Sequence, residues 1–442
     1  MSSADFGPRL AWAPDLPSSW DVVRLRWIAR IFAGGTPNRA NLEFWTGGTI
    51  PWLNSGAVNQ VVIDSPSAFI TQAAVAGGGT RWAPAGSVLV ALAGQGKTKG
   101  LAALLQIDST LNQSIAAIVP GPTIDQRFLF YWLTANYLNL RGLAGGDLRD
   151  GLNLQHIGSV QVPCPPVAAQ RAIAEFLDRE TAQIDALIAK NEELIALLTE
   201  RRTATITRCV TSGLSGSEGL QEGHWTASVP DHWQVMPLRY AIRRIDQGVS
   251  PQAEAGLAVD AGQVGVLKSG CVNGGVFQPS EHKVLPSDFV FDPAIQIDVG
   301  DLLVNRASGS VSLLGSAAMV TENPYQLILS DKTFRIWPSG RTSRHYLYWL
   351  LNSRLYREQV EASVSGAEGL ANNLPMSRLR SFRLPFPPRA EQRKLIVFLE
   401  RETSAISQAI LTASRGIDLA RERRAALISA AVTGKIDVGV SA

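Results

Sequence analysis

The stretch from Ala91 to Gly100, ALAGQGKTKG, has residue types that could hold a phosphate. It follows an apolar run and contains Gly96-Lys97-Thr98, as a loop of the form G-x-x-x-x-G-K-[ST] does. That pattern needs glycine at 91, where this chain has Ala91. The matching stretch of the second half, NRASGSVS (305–312), has no Gly-Lys pair. No acidic metal-binding strand follows at the usual distance, so a diverged nucleoside triphosphatase is a lesser alternative. The same loop could instead meet nucleic-acid phosphates through backbone N–H groups, Lys97, Thr98 and Lys99. The five histidines (His156, His224, His232, His282 and His345) lack metal-ligand spacing. Ser87, Ser269 and Ser310 sit near glycines, but none lies in G-x-S-x-G. The front part of each half has no recurring carboxylate pair. With no catalytic constellation and no metal site in 442 residues, the chain reads as a binding protein that needs no cofactor of its own.

Polar residues placed after apolar, strand-like runs give a second pattern. In the first half these are Thr36, Asn54, Ser55, Gln95, Lys97, Asn112 and Gln113. In the second they are Gln247, Ser250, Lys268, Ser269, Asn305, Arg306, Ser310 and Lys332. Arg and Lys pair with guanine, and Asn and Gln with adenine, through two hydrogen bonds in the major groove. The two sets occupy similar places and differ in type, as two modules of one fold reading two different short sequences would. Taken singly, each residue is equally well an ordinary loop polar group.

The elements that must carry these residues are written twice. Residues 162–214 align without a gap to 384–436, sharing P-x-PP, QR, FL-x-RET, ERR and VT, with about four positions in ten identical. Upstream, LPSSWDVVRLRW (16–27) matches VPDHWQVMPLRY (229–240), and WLNSGAVN (52–59) matches VLKSGCVN (266–273). GSVLV (86–90) matches GDLLV (300–304), and FLFYWL (128–133) matches HYLYWL (345–350). The chain is therefore a tandem duplication, joined by the Gly/Ser-rich SGLSGSEGLQEGH, which reads as a linker. The front of each half alternates short apolar runs with Gly and Pro, predicting short strands and one helix.

After each Pro-Pro boundary the chain runs for over forty residues without proline, which predicts a long helix of about 60 Å. In the first, Leu177, Ile184, Asn191 and Leu198 recur every seven residues, with Ile173, Leu187 and Leu194 as a companion row. This is a coiled-coil pattern, with Asn191 as a polar residue that fixes register. The second keeps Leu395, Leu399 and Ile406, then thins to Ala409, Ala413, Gly416 and Ala420, small residues that admit a bulkier partner. The two helices are expected to pair antiparallel; the plainer alternative is that each packs onto its own module.

Composition agrees with a folded chain: 45% hydrophobic, 18% charged, net charge +3. The charge neither announces nor excludes a polyanion partner. Cys164, Cys209 and Cys271 lie far apart, which excludes a disulfide framework and suits a reducing compartment. No apolar run approaches a membrane span and the N-terminus lacks a secretory pattern, so a soluble, cytoplasmic protein is expected.

Taken together, these motifs resemble the specificity subunit of type I DNA restriction-modification systems. The resemblance rests on Gly34-Gly35-Thr36-Pro37, EFW (43–45), IPWLNSG (50–56), the boundary residues Pro165, Pro166, Gln170, Arg171 and Pro387, Pro388, Gln392, Arg393, and the ERR…VTGKI ending (422–436). The second half departs with GVSP (248–251) in place of GGTP, and the first helix ends in VTSGL. The resemblance implies an α+β fold: two pseudo-symmetric α/β target recognition domains joined by two long helices that form an antiparallel coiled coil. The implied layout is a recognition domain over 1–162, a helical spacer over 163–214, a linker over 215–224, a second recognition domain over 225–384 and a second spacer over 385–442. It implies a chain that is not an enzyme and reads a bipartite double-stranded DNA site. Two modification subunits that bind S-adenosylmethionine and methylate adenine would dock on it, joined in a full complex by motor-nuclease subunits using ATP and Mg. A non-catalytic scaffold with two protein-binding modules is the alternative from another class.

Overall fold

A computed structural model describes residues 12–13, 15–94, 97–144, 151–214, 229–258, 260, 262–364, 372–436 and 438. The expected linker at 215–224 lies outside them. The chain divides into two compact units, one made of 1–191 with 415–442 and the other of 192–414. The division runs through the two long helices, Val167–Ser212 and Arg389–Val432, so each unit holds one module, the start of one helix and the end of the other.

Both modules are built from twisted sheets of short strands. In the first unit a five-stranded sheet runs Ala29–Ala33, Ile115–Pro120, Val88–Ala91, Ala102–Leu105, Val62–Ile63. A four-stranded sheet runs Ala68–Ile70, Ile50–Leu53, Ser109–Leu111, Trp82–Ala83. The second unit repeats the plan with Ile242–Gln247, Thr333–Pro338, Leu302–Asn305, Ala317–Met319 in one sheet and His282–Val284, Val264–Leu267, Gln326–Ile328 in the other. In both, one pair of the second sheet is parallel: Leu53 lies beside Leu111, and Val266 beside Ile328.

One buried glutamine in each copy fixes the long helix to its module. Gln170 Oε1 accepts from the Asp125 N–H at 2.8 Å, while its Nε2 donates to the carbonyls of Thr123 (3.0 Å) and Pro165 (2.8 Å). Gln392 Oε1 accepts from the Ser343 N–H (3.3 Å) and the Thr342 hydroxyl (3.2 Å), while its Nε2 donates to the carbonyls of Arg341 (3.0 Å) and Pro387 (2.9 Å). Asp125 and Ser343 are themselves the N-caps of the helices Gln126–Ala135 and Arg344–Leu350, which fill the core of each module. The Pro-Pro-…-Gln pattern thus ties three segments together through one side chain.

The far end of each long helix completes the other unit. Ile173 and Leu177 share a core with Ile428, Ala431 and Val432 in the first unit; in the second, Ile206, Cys209 and Val210 share one with Leu395 and Leu399. Within each unit the two helices run antiparallel. In the first, Asp185 pairs with Arg424 at 2.9 Å, and Asn191 faces Gly416. In the second, the end of the first helix at Gly213 lies against Glu391 near the start of the second. Both expectations for the helices therefore hold at once: each packs on a module and each pairs with the other helix.

The seam differs from the predicted one on both helices. Leu177 and Ile184 are buried, Asn191 and Leu198 half-buried, and Leu399, Ile406 and Ala413 buried, as the seven-residue row requires. Leu187 and Leu194, placed in the companion row, are instead 52% and 44% exposed. At about 100° per residue they lie roughly 60–80° to one side of Ile184, whereas Ile188 and Ile195 lie within about 40° on the other. Ile188 and Ile195 are the half-buried companions. On the second helix Ile417, not Gly416, is buried, and Ala409 is exposed. The Asn191 amide donates to the Leu187 carbonyl of its own helix (2.9 Å).

The second module contains a buried ionic network where the first is apolar. Arg335, 4% exposed, donates to Asp246 (2.8 Å) and Asp301 (3.1 Å) and to the Gln296 carbonyl (2.7 Å), while the Trp337 indole donates to Asp246 at 2.7 Å. Arg335 pairs in register with Asp246, just as Ala117 pairs with Phe32 in the first module; Ser87 takes the place of Asp301. Burial alone would raise the Asp246 pKa, but hydrogen bonds from Trp337, Arg335 and Arg244 outweigh it and hold the carboxyl below its ordinary value. Its folded pKa is depressed, so its stabilisation is present above the unfolded value of 3.8 and is lost as pH falls through the folded value.

Two measurements check this account. Arg335→Ala removes the cation shared by Asp246 and Asp301, leaving Asp246 to Trp337 and Arg244 and Asp301 to Arg344 at 3.7 Å, and should cost about 3 kcal/mol in denaturant unfolding of the second unit. The triple change Asp246→Phe, Asp301→Ser, Arg335→Ala, which copies the first module, should recover most of that loss. Gln170→Leu leaves the Thr123 and Pro165 carbonyls and the Asp125 N–H without their partner, and should cost about 1–3 kcal/mol for each group left unsatisfied. A melting temperature equal to wild type would refute the clamp.

Candidate nucleic-acid interface

In the first module the polar residues collect where strands of both sheets end. The Ala29–Ala33 strand runs into Gly34, whose position allows no side chain: a Cβ there would lie 1.9 Å from the Leu111 carbonyl oxygen. Gly35 donates its N–H to that carbonyl at 2.8 Å. Thr36 then donates its hydroxyl to the side-chain carbonyl of Gln113. Asn54 ends the adjacent strand, and its Oδ1 caps the Gly56 N–H (2.8 Å). Asn112, nearly buried, donates its N–H to the Leu53 carbonyl (2.9 Å) and caps the Ser114 N–H through Oδ1 (3.1 Å). The Leu92 N–H donates to the Ser114 carbonyl (2.8 Å), which brings the loop after Val88–Ala91 to the same edge. On that loop Lys97 is exposed and its carbonyl accepts from the Tyr137 hydroxyl (2.6 Å); Thr98 is half-buried and Lys99 buried. Gln95 lies outside the described residues.

The second module repeats this frame residue for residue. A Cβ on Gly248 would lie 1.8 Å from the Leu329 carbonyl oxygen. Ser250, like Thr36, donates to the side chain two residues beyond that leucine, here Asp331. The Arg306 N–H donates to the Lys332 carbonyl at 2.8 Å, as Leu92 does to Ser114. What differs is the chemistry. Around Asp331 converge Lys332 (Nζ to Oδ2, 2.8 Å), Ser250, and, on its backbone carbonyl, Arg306 (3.0 Å) and Gln247 (3.3 Å). Burial would raise the Asp331 pKa, but hydrogen bonds from Lys332 and Ser250 and the charges of Lys332 and Arg306 outweigh it and hold the group ionised.

The structure thus brings Thr36, Asn54, Asn112 and Gln113 together in one module, and Gln247, Ser250, Arg306 and Lys332 in the other. Other expected residues serve the frame. Asn305 is buried, donating to the Ser269 carbonyl (2.8 Å) and accepting from the Ala307 N–H (3.0 Å). Lys268 pairs with Glu281 at 3.8 Å, Ser55 opens a 3-10 turn, and the Ser310 hydroxyl meets that of Ser312 (2.7 Å). Two features escaped the sequence reading. Asp331 is not among the Arg, Lys, Asn and Gln types that pair with bases, and Arg39, exposed, stacks over Trp45 (5.4 Å) and Trp52 (5.9 Å). Its only sequence signal is a basic residue a few positions from two tryptophans.

Other chemistry finds little support. The loop containing Gly96-Lys97-Thr98 leads into the strand Ala102–Leu105, antiparallel to Val88–Ala91, where a nucleotide-binding loop must open a helix. His282 is buried, accepting from the Ala258 N–H (2.8 Å) at Nε2 and donating from Nδ1 to the Pro279 carbonyl (2.7 Å). Burial pushes the Cys164 and Cys209 thiols up to about 11 and Cys271 to about 12, far from a thiolate nucleophile. Among the described residues no group of three or more His, Cys, Asp or Glu could hold a metal, and no helix is long and apolar enough to cross a membrane.

Residues 17–196 match the family model described as the type I restriction modification DNA specificity domain. Over that stretch the chain is similar to the DNA specificity domain of type I restriction-modification systems. It is 30% identical over 173 residues to the EcoEI specificity subunit of Escherichia coli, covering 39% of this chain and 29% of that one. It is 27% identical over 189 residues to the MjaIX specificity subunit of Methanocaldococcus jannaschii, covering 41% and 43%. For these two relatives the chain spans less than half their length. The EcoKI specificity subunit of Escherichia coli aligns over 402 residues at 20% identity, covering 88% and 83%. A solved chain from work on complex assembly and conformational transition of the type I R-M system superimposes with a TM-score of 0.64. That match covers 96% of this chain and 100% of the other at 15% identity, a likeness of fold.

The glycine turns carry a direct test. Gly34→Ala and Gly248→Ala should each force the backbone away from the leucine carbonyl beneath it and cost about 1–3 kcal/mol. Each should also loosen the adjoining hydroxyl contact. Hydrogen exchange at residues 34–37 or 248–251 that matches wild type would contradict this.

Proposed function

We propose that this chain is the DNA-reading subunit of a type I restriction-modification complex. Each module reads one half of a split site through the polar residues at its strand ends, and phosphate contacts set its position. The chain itself catalyses nothing. It directs adenine methylation by two modification subunits, which carry S-adenosylmethionine, and cleavage where motor-nuclease subunits using ATP and Mg join them. The long helices set the number of unread base pairs between the half-sites; one helical turn of DNA is about 34 Å. The observation that carries this reading is the pair of matched frames with different polar residues in equivalent places: Thr36 with Gln113, and Ser250 with Asp331. A frame kept constant while its side chains change suits two sequences read by one mechanism.

The test is adenine methylation across the genome of a host expressing this chain with its companion modification subunit, compared with that subunit alone. A split motif that appears only with the chain present supports the reading. A stable complex with no new motif refutes it and favours a protein-binding scaffold. In vitro, affinity for the motif should fall steeply with salt. Deleting seven residues from the middle of both long helices shortens each by about 10 Å, or about three base pairs. It should change the gap and leave the half-site sequences alone; altered half-sites would exclude a spacer role.

A further inference from the structure

In both modules the hydroxyl of the G-x-[ST]-P turn holds the side chain two residues beyond the leucine under the turn. The tether is the same, so the tethered side chain occupies the same place on each module. In the first it is Gln113, exposed, whose amide nitrogen is left to donate and whose oxygen can accept a second hydrogen bond. In the second it is Asp331, which neutralises Lys332 at 2.8 Å and holds Arg306 by its carbonyl at 3.0 Å. Lys332 remains about half exposed. One edge therefore presents an amide, and the equivalent edge presents two cations gathered by an acid.

Building on the DNA-reading function above, we propose that positions 113 and 331 choose the bases at which the two half-sites differ. Gln113 contacts its base directly, with the acceptor-donor pair that fits N6 and N7 of adenine. Asp331 is a positioning residue: its carboxylate fixes the approach of Lys332, beside the Arg306 held by its backbone carbonyl, and the donors of these two cations fit O6 and N7 of guanine. The acid has a further role, since an unneutralised pair of cations would bind phosphate at any sequence as readily as a base edge.

The experiment maps methylation motifs for complexes of wild type, Gln113→Glu, Asp331→Asn and Asp331→Ala with the modification subunit. It also measures binding of each purified complex to duplexes altered in one half-site. Gln113→Glu should shift one position of the first half-site from adenine toward cytosine, whose N4 amine suits a carboxylate. Asp331→Asn should reduce discrimination for guanine in the second half-site by about tenfold or more and leave the first unchanged. An unchanged second half-site in both Asp331 variants overturns the proposal, as does equal weakening of both half-sites. If the Asp331 variants melt below wild type, Arg306→Ala and Lys332→Gln replace them, and no change in the second half-site there is equally decisive. A wild-type complex that yields no split motif counts against the DNA-reading function itself.

Discussion

The arrangement of this chain depends on the buried glutamine at the start of each long helix. A polar side chain removed from water must find partners for all its donors and acceptors. Gln170 and Gln392 find theirs in three different segments: the loop before the module's core helix, the N-cap of that helix, and the proline carbonyl before the long helix. Because the partners are backbone groups, with one buried hydroxyl (Thr342) in the second copy, the glutamine specifies where the helix leaves the module whatever the module's surface residues are. The polar edges can then vary without disturbing the spacer, and in this chain the two copies have varied in that way.

The two copies also show two solutions to one core position. Phe32, Ala117 and Ser87 fill it in the first module; Asp246, Arg335 and Asp301 fill it in the second. A buried ion pair gains little over well-packed apolar groups, because desolvation offsets the attraction. Its presence in one copy is consistent with a fold that tolerates either, provided every charge is paired. The remaining donors of Arg335 reach backbone carbonyls, so the network is closed.

Much of this was legible in the sequence, for identifiable reasons. The duplication, the long helices and their antiparallel pairing follow from repeats and heptads, which are properties of composition along a line. The choice between Leu187 and Ile188 as the companion row was not, because two apolar rows flank Ile184 and only packing selects one. The glycine turns were visible as Gly34 and Gly248, but the carbonyl that makes glycine obligatory comes from Leu111 or Leu329, some eighty residues downstream. Asp331 carries no signal of its own in the sequence, because its place is defined by Ser250, Lys332 and Arg306 gathering around it. Asn305 was proposed as a contact because it follows a strand, yet its amide is consumed inside the fold.

The exchange of helix ends bears on how the chain is made. The core around Ile173 and Leu177 is completed by Ile428, Ala431 and Val432, which lie about 250 residues further along the chain. The first unit therefore leaves the ribosome with an open apolar face and must hold it until those residues are made, whereas the second unit finds Ile206, Cys209 and Val210 already made. Non-local closure of this kind is slow and exposed to aggregation. The unit synthesised first is thus the last to be finished, and loss of a few C-terminal turns of helix would open a core built almost wholly from the N-terminal half.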